Sequence, residues 1–187
     1  EKVVQVAEST GYKGLYLLPG VQYSPNHSDQ GAWGGLVDDV ADPGIPTFMG
    51  LHNRIGLSVH VYSFDVRGAV AMDDGTAEHF EKNFGFVRNL NGTLWDGTPV
   101  LITEYGGHMV PGTKDMVVYD KLASYLELHK MDAGAFMWVL GQSSADTGGI
   151  VTGDDWKGED QNKLAYMKRI QPNPSPPLNA SDNATAV

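Results

Sequence analysis

The 187-residue chain contains no cysteine, which excludes disulfides, thiol catalysis and zinc sites built on thiolate ligands. It is also poor in positive charge. Thirteen Lys and Arg stand against 23 Asp and Glu, a net charge of −10. Nucleic-acid binding needs a Lys/Arg-rich face to meet phosphate, so that class is excluded on charge. No apolar run approaches the ~20 residues of a membrane-spanning helix. HExxH, close His-x-His spacing, GxGxxG and Walker sequences are all missing. Metal catalysis and nucleotide binding are therefore unsupported, and neither a metal nor a cofactor is expected.

What is present suits a folded domain. Hydrophobic residues make up 41% and aromatics 10%, enough for a core in a chain of single-domain length. Gly (23) and Pro (10) together are 33 residues, about 18% against an average near 12%, which calls for long, shaped loops. Glu1 to Ser9 reads as the end of an amphipathic helix stopped by Gly11. Gly14 to Leu18 reads as a short buried strand closed by Pro19-Gly20, and a long loop runs from Val21 to about Asn53. Ile55 to Tyr62 alternates, with Ile55, Leu57, Val59 and Val61 on one face and Ser58, His60 and Tyr62 on the other. A helix is predicted from an N-cap at Thr76 to Asn89, with Phe80, Phe84 and Val87 as its buried stripe. Pro99 to Tyr105 is a third strand, and Lys114 to Lys130 a helix carrying Tyr119, Leu122 and Leu126 on one side. Ala133 to Leu140 is a fourth strand, and Asp160 to Ile170 a last helix using Leu164 and Met167. Strands alternating with helices predict an α/β fold, a parallel sheet with covered faces. Residues 171–187, rich in Pro and Asn, cannot build a core and read as a linker or tail after a domain of residues 1–170.

The chemistry concentrates at strand ends. Glu104 closes an apolar strand just before Tyr105-Gly-Gly, where ligands bind in α/β folds. A carboxylate there costs desolvation energy unless paired or used. Position alone leaves two readings, a Glu bonded to loop backbone or arginine, and a functional carboxylate. Ser58, His60 and Tyr62 form a second polar set, readable singly as a satisfied core histidine and an amphipathic tyrosine. Together the two sets bring Glu, His and Tyr to one end of a sheet, where the neighbours can orient a carboxylate and tune it. Trp138 and Trp33 each read either as a packed side chain or as an indole face for a sugar ring. Asp39, Asp154 and Asp155 read as solvated loop residues rather than metal ligands.

Four segments in order carry a resemblance: Ser58-Val-His-Val-Tyr62, Pro99-Val-Leu-Ile-Thr-Glu-Tyr-Gly106, Phe136-Met-Trp-Val-Leu140 and Asp146-Thr-Gly-Gly-Ile-Val-Thr-Gly-Asp-Asp-Trp156. Over residues 1–170 the chain resembles the C-terminal half of a glycoside hydrolase family 5 enzyme, the cellulase and β-glucanase family. The resemblance implies the second half, strands five to eight, of a (β/α)8 TIM barrel. It also implies a retaining endo-β-glycanase acting on a β-linked glucan polysaccharide. Glu104 falls on the nucleophile, and His60 and Tyr62 on the residues that bond around it. Trp138 falls on a sugar platform and Trp33 on a neighbouring subsite.

Retaining hydrolysis needs two carboxylates. The family's acid/base Glu sits in an Asn-Glu-Pro type motif, which this chain lacks. That residue is expected upstream or on another chain, with the remaining barrel half or a self-associating copy as partner. Pro19 and Leu140 depart from an acidic and an aromatic residue common in relatives, which bears on the exact substrate. The alternative is a non-catalytic structural or glycan-binding half-barrel of an extracellular glycoprotein assembly. Sequons at Asn26, Asn91, Asn179 and Asn183, where nine Asn predict about one by chance, read either as coincidence in Asn/Thr-rich loops or as glycosylation of a secreted protein. Glu1-Lys-Val-Val does not read as the charged n-region and apolar h-region of a signal peptide, so the chain is expected to be processed or truncated at its start.

Overall fold

The computed structural model describes residues 2–19, 51–63, 77–89, 97–131 and 134–171. Asn26, Trp33, Asp39, Thr76, Asn91, Asn179 and Asn183 lie outside them, as does nearly all of the proposed tail. The elements in chain order are α1 (Lys2–Ser9), β1 (Tyr16–Pro19), β2 (Ile55–Tyr62), α2 (Ala77–Asn83), β3 (Val100–Gly106), α3 (Lys114–Leu128), β4 (Ala135–Met137), β5 (Val151–Thr152), β6 (Gly158–Glu159) and α4 (Gln161–Ile170). Strands β1 to β4 form one sheet in sequence order, each neighbouring pair parallel. β5 and β6 make a small antiparallel hairpin beyond it. Parallel strands in sequence order, with α2 and α3 in the crossovers after β2 and β3, are the arrangement of part of a (β/α) barrel.

One face of the sheet is packed. Ile55, Leu57, Val59 and Val61 of β2 join Ile102 and Tyr105 of β3 and Ala135 of β4, all buried, against Phe80, Phe84, Val87, Val118, Leu122, Leu126, Tyr166 and Ile170 from the helical layer. The rings of Phe80, Phe84 and Tyr125 lie 5.3 to 5.9 Å apart and lock α2 to α3. Alternation places Leu17, Leu101, Phe136 and Trp138 on the opposite face. There Leu17 is 49% and Phe136 55% exposed. A cavity of about 770 Å³ opens among Leu15, Leu17, Ile55, Leu101 and Met131 at the amino ends of the strands. The expectation of covered faces therefore holds for one face only among the described residues. The uncovered face would be the interior of a closed barrel.

Three further details differ from the sequence reading. The helix expected to reach Asn89 ends at Asn83 and continues as a 3-10 turn, Gly85–Asn89; the buried stripe of Phe80, Phe84 and Val87 persists across the break. A Cβ on Gly85 would lie 1.7 Å from the Tyr125 hydroxyl, so a larger residue at the break would displace the Tyr125 side chain of α3. β4 is three residues long rather than eight. Beyond it the carbonyls of Val139 and Leu140 accept from Ile150 and Val151 at 2.9 Å, not from the sheet. The last helix buries Lys163, Tyr166 and Ile170, while Leu164 and Met167 are half-buried. Tyr166 wins the inner position because its hydroxyl donates to the Tyr119 carbonyl at 2.7 Å and its ring meets Tyr105 and Tyr119, both at 5.8 Å.

α1 is short, buries only Val4, and ends at Gly11 with φ +80°, a left-handed turn that suits glycine. It is tied to the sheet by charge. Arg54 reaches the Glu8 carboxylate at 2.9 Å and donates to the Gly14 and Tyr12 carbonyls. The Tyr16 hydroxyl donates to Glu8 at 2.5 Å. The Tyr16 bond and then Arg54 hold the Glu8 carboxyl below its usual range.

Two outcomes follow from this packing. Leu122→Ala should lower unfolding free energy by about 2–5 kcal/mol in urea titration. In this chain by itself, Phe136→Ser on the open face should change it by no more than about 0.5 kcal/mol and raise solubility. Glu8 contributes to stability while ionised, so its contribution is present above the ordinary Glu value of about 4.3 and lost as pH falls below it. Glu8→Gln should flatten that part of the acid transition followed by circular dichroism.

Candidate active site

The site is assembled by the pairing of β2 with β3. Val59 pairs with Ile102 and His60 with Glu104, which leaves Thr103 unpaired as a one-residue bulge. Ile102 is on the packed face, so strict alternation would put Glu104 there as well. The extra residue shifts the phase. Thr103 stays on the open face, with its hydroxyl 2.5 Å from that of Ser58, and Glu104 follows it there. Tyr105 returns to the core, where it is 1% exposed.

Glu104 is held from both sides of its carboxylate. The Tyr62 hydroxyl donates a short hydrogen bond to Oε1. The Nδ1 of His60 lies 3.3 Å from Oε2. The side chains of Glu104 and His60 are 25% and 33% exposed, open enough for a ligand to reach the carboxylate. Burial, and then the bond to Glu104, push the Tyr62 hydroxyl well above the usual tyrosine value. Tyr62 therefore remains a proton donor to the carboxylate through the neutral range.

Trp138 directly follows β4, and its amide donates to the Tyr105 carbonyl at 2.7 Å. The indole is 46% exposed at the same carboxyl end of the sheet. Gly106 is what permits this approach, because a Cβ there would meet the Trp138 carbonyl at 2.1 Å. The peptide from Trp138 to Val139 is cis. The Asp146-Thr-Gly-Gly149 loop folds beneath this corner. Thr147 is 1% exposed and its hydroxyl donates to Ser144 at 2.6 Å. Gly149 packs on the Gly141 backbone so tightly that a Cβ would fall 2.5 Å from it. Asp154 and Asp155 are exposed, and Asp155 caps the Lys157 amide at 3.2 Å.

The structure thus brings Glu104, His60 and Tyr62 into direct contact and sets Trp138 on the adjoining strand end. Trp33 lies outside the described residues. Sequence reading missed the pairing of Ser58 with Thr103, although two successive polar residues in an apolar strand are the trace such a bulge leaves. It also missed Tyr119, which it read as core alone. The Tyr119 hydroxyl donates to the Gly106 carbonyl and accepts from the Ser63 amide at 3.3 Å.

A half-buried carboxylate flanked by a tyrosine hydroxyl and an imidazole, with an exposed indole nearby, can act as an oriented nucleophile or as an acceptor for sugar hydroxyls. No protein-family model matches the chain. The major extracellular endoglucanase of Xanthomonas campestris pv. campestris is 30% identical over 164 residues, which are 84% of this chain and 32% of that protein. The structure of its catalytic domain superposes with a TM-score of 0.65 at 26% identity, over 90% of this chain and 48% of that one. An endocellulase from Pyrococcus horikoshii in complex with cellotetraose gives a TM-score of 0.63 at 25% identity, over 88% of this chain and 45% of that one. The chain spans about a third of the curated relative and less than half of either solved structure. Agreeing in sequence and in fold, these likenesses make the chain similar, over most of its length, to part of an endoglucanase, in keeping with the resemblance its motifs carry to glycoside hydrolase family 5.

Proposed function

We propose that the chain is the nucleophile-bearing part, strands five to eight, of a retaining endo-β-glucanase barrel, with cellulose-type β-linked glucan as substrate. The carrying observation is the Glu104 carboxylate held between Tyr62 and His60 at the carboxyl end of a parallel sheet. In this reading Glu104 attacks the anomeric carbon. The C–O bond to the leaving sugar breaks as a carboxylic acid protonates that oxygen, and a glycosyl ester forms on Glu104. Water, deprotonated by the same acid/base residue, then releases the sugar and restores the carboxylate. Tyr62 and His60 keep the attacking oxygens aimed. Trp138 offers an apolar face to a glucosyl ring, and Trp33 a further subsite.

Among the described residues, the side chains that reach Glu104 are Tyr62 and His60, and neither is a carboxylic acid. The acid/base is therefore assigned to the rest of the barrel, whether upstream in the same protein or on another chain. The open sheet face, with Leu17 and Phe136 exposed, supports such a partner, since bare apolar faces and strand edges otherwise aggregate. The cellotetraose complex of the Pyrococcus relative and the extracellular Xanthomonas endoglucanase support a β-glucan substrate and secretion. The four sequons then read as glycosylation sites of a secreted protein. The second reading, a glycan-binding half-barrel without turnover, draws on the missing second carboxylate.

Glu104→Gln in the complete barrel should abolish hydrolysis of soluble β-glucan, measured by reducing ends, while leaving the unfolding midpoint nearly unchanged. Unchanged turnover would remove the nucleophile assignment. Binding of oligosaccharide without any turnover in the wild type would establish the second reading. Trp138→Ala should weaken cello-oligosaccharide binding by about tenfold, as loss of roughly 1–1.5 kcal/mol of ring stacking requires. Calorimetry showing wild-type affinity would exclude the platform.

A further inference from the structure

The Tyr119 hydroxyl sits at a place that packing alone does not require. Tyr119 is fully buried on α3, on the helical side of the sheet, yet its oxygen bridges two strand ends. It donates to the carbonyl of Gly106 and accepts from the amide of Ser63 at 3.3 Å. Tyr62 and Gly106 are the last register partners of β2 and β3. The bridge therefore supplies one more rung just past that pair, made by a side chain where the backbone ladder has run out. The residues it pins are one position beyond Tyr62 and two beyond Glu104. Ser63 is 0% exposed and Gly106 is buried, so losing the hydroxyl takes from a buried amide and a buried carbonyl the partner they have among the described residues. The strand ends would shift to find partners and carry the Tyr62–Glu104 contact with them. Gly107 fits the same purpose, since a Cβ there would press on the Tyr119 ring at 3.1 Å.

We infer that Tyr119 is a positioning residue that holds the Tyr62–Glu104 pair in reacting geometry by clamping the ends of β2 and β3 from behind the sheet. The inference rests on the proposed role of Glu104. Tyr125 provides the control. It lies on the same helix, buried, and its hydroxyl makes a bond of 2.5 Å to Glu81 away from the strand ends.

The test compares Tyr119→Phe with Tyr125→Phe in the complete enzyme, each matched by its thermal midpoint. Tyr119→Phe should lower kcat on cello-oligosaccharide by about 10- to 100-fold with KM little changed, as a misplacement on the scale of 1 Å does; Tyr125→Phe should leave kcat at the wild-type level. Equal effects of the two, scaling with lost stability, would overturn the inference. The 13C shift of the Glu104 side-chain carboxyl gives a readout that needs no turnover. It should move in Tyr119→Phe and stay in Tyr125→Phe, and no movement in either would also overturn the clamp. Wild-type activity in Glu104→Gln, by contrast, would sink the nucleophile reading while the carboxyl shift still decided the clamp.

Discussion

A single extra residue in β3 governs the candidate site. Because Thr103 has no partner in β2, the strand changes phase between Ile102 and Glu104. Strands bury alternate residues, so a slip of one residue moves every later side chain to the other face. Here it turns Glu104 out of the helical layer toward Tyr62 and His60, and turns Tyr105 into the core. Ser58 and Thr103 join hydroxyls at the bulge, giving the unpaired residue a reason to stay on the open face.

The same sheet shows two opposite demands on its faces. The helix side is closed by long-range contacts among aromatic and aliphatic side chains, and it carries the stability. The other side keeps Leu17, Phe136 and Trp138 exposed and carries the Glu104, His60 and Tyr62 cluster. In a barrel these are the outer shell and the interior. An exposed indole and an exposed phenylalanine side by side have different meanings in that setting. Trp138 stands at the carboxyl end beside the Glu104 cluster, and Phe136 lies two residues deeper on the same face.

Support for the site comes from behind as well as beside it. Tyr119, Tyr166 and Tyr105 are buried in contact, and their hydroxyls divide the work. Tyr166 binds the α3 backbone at Tyr119, and Tyr119 binds the strand ends. The Tyr105 hydroxyl has no partner among the described residues. Gly106 then lets the Trp138 corner close onto the sheet, and Gly149 lets the Asp146–Gly149 loop close onto the Gly141 backbone, at distances a Cβ would not allow.

Much of this architecture was legible in the chain. Apolar alternation at Ile55–Tyr62, the 3.6-residue stripes of α3 and the polar strand ends at His60 and Glu104 announce a parallel α/β sheet with a site at its carboxyl edge, because periodicity and polarity are local properties. Other features were decided by tertiary structure alone. Which face Glu104 takes depends on how β3 registers against β2. That Tyr166 rather than Leu164 is buried depends on a carbonyl of α3, and the early end of β4 on carbonyls claimed by residues 150 and 151. Pattern in a sequence states what a residue prefers; only the packed neighbours determine which hydrogen bond or contact it gets.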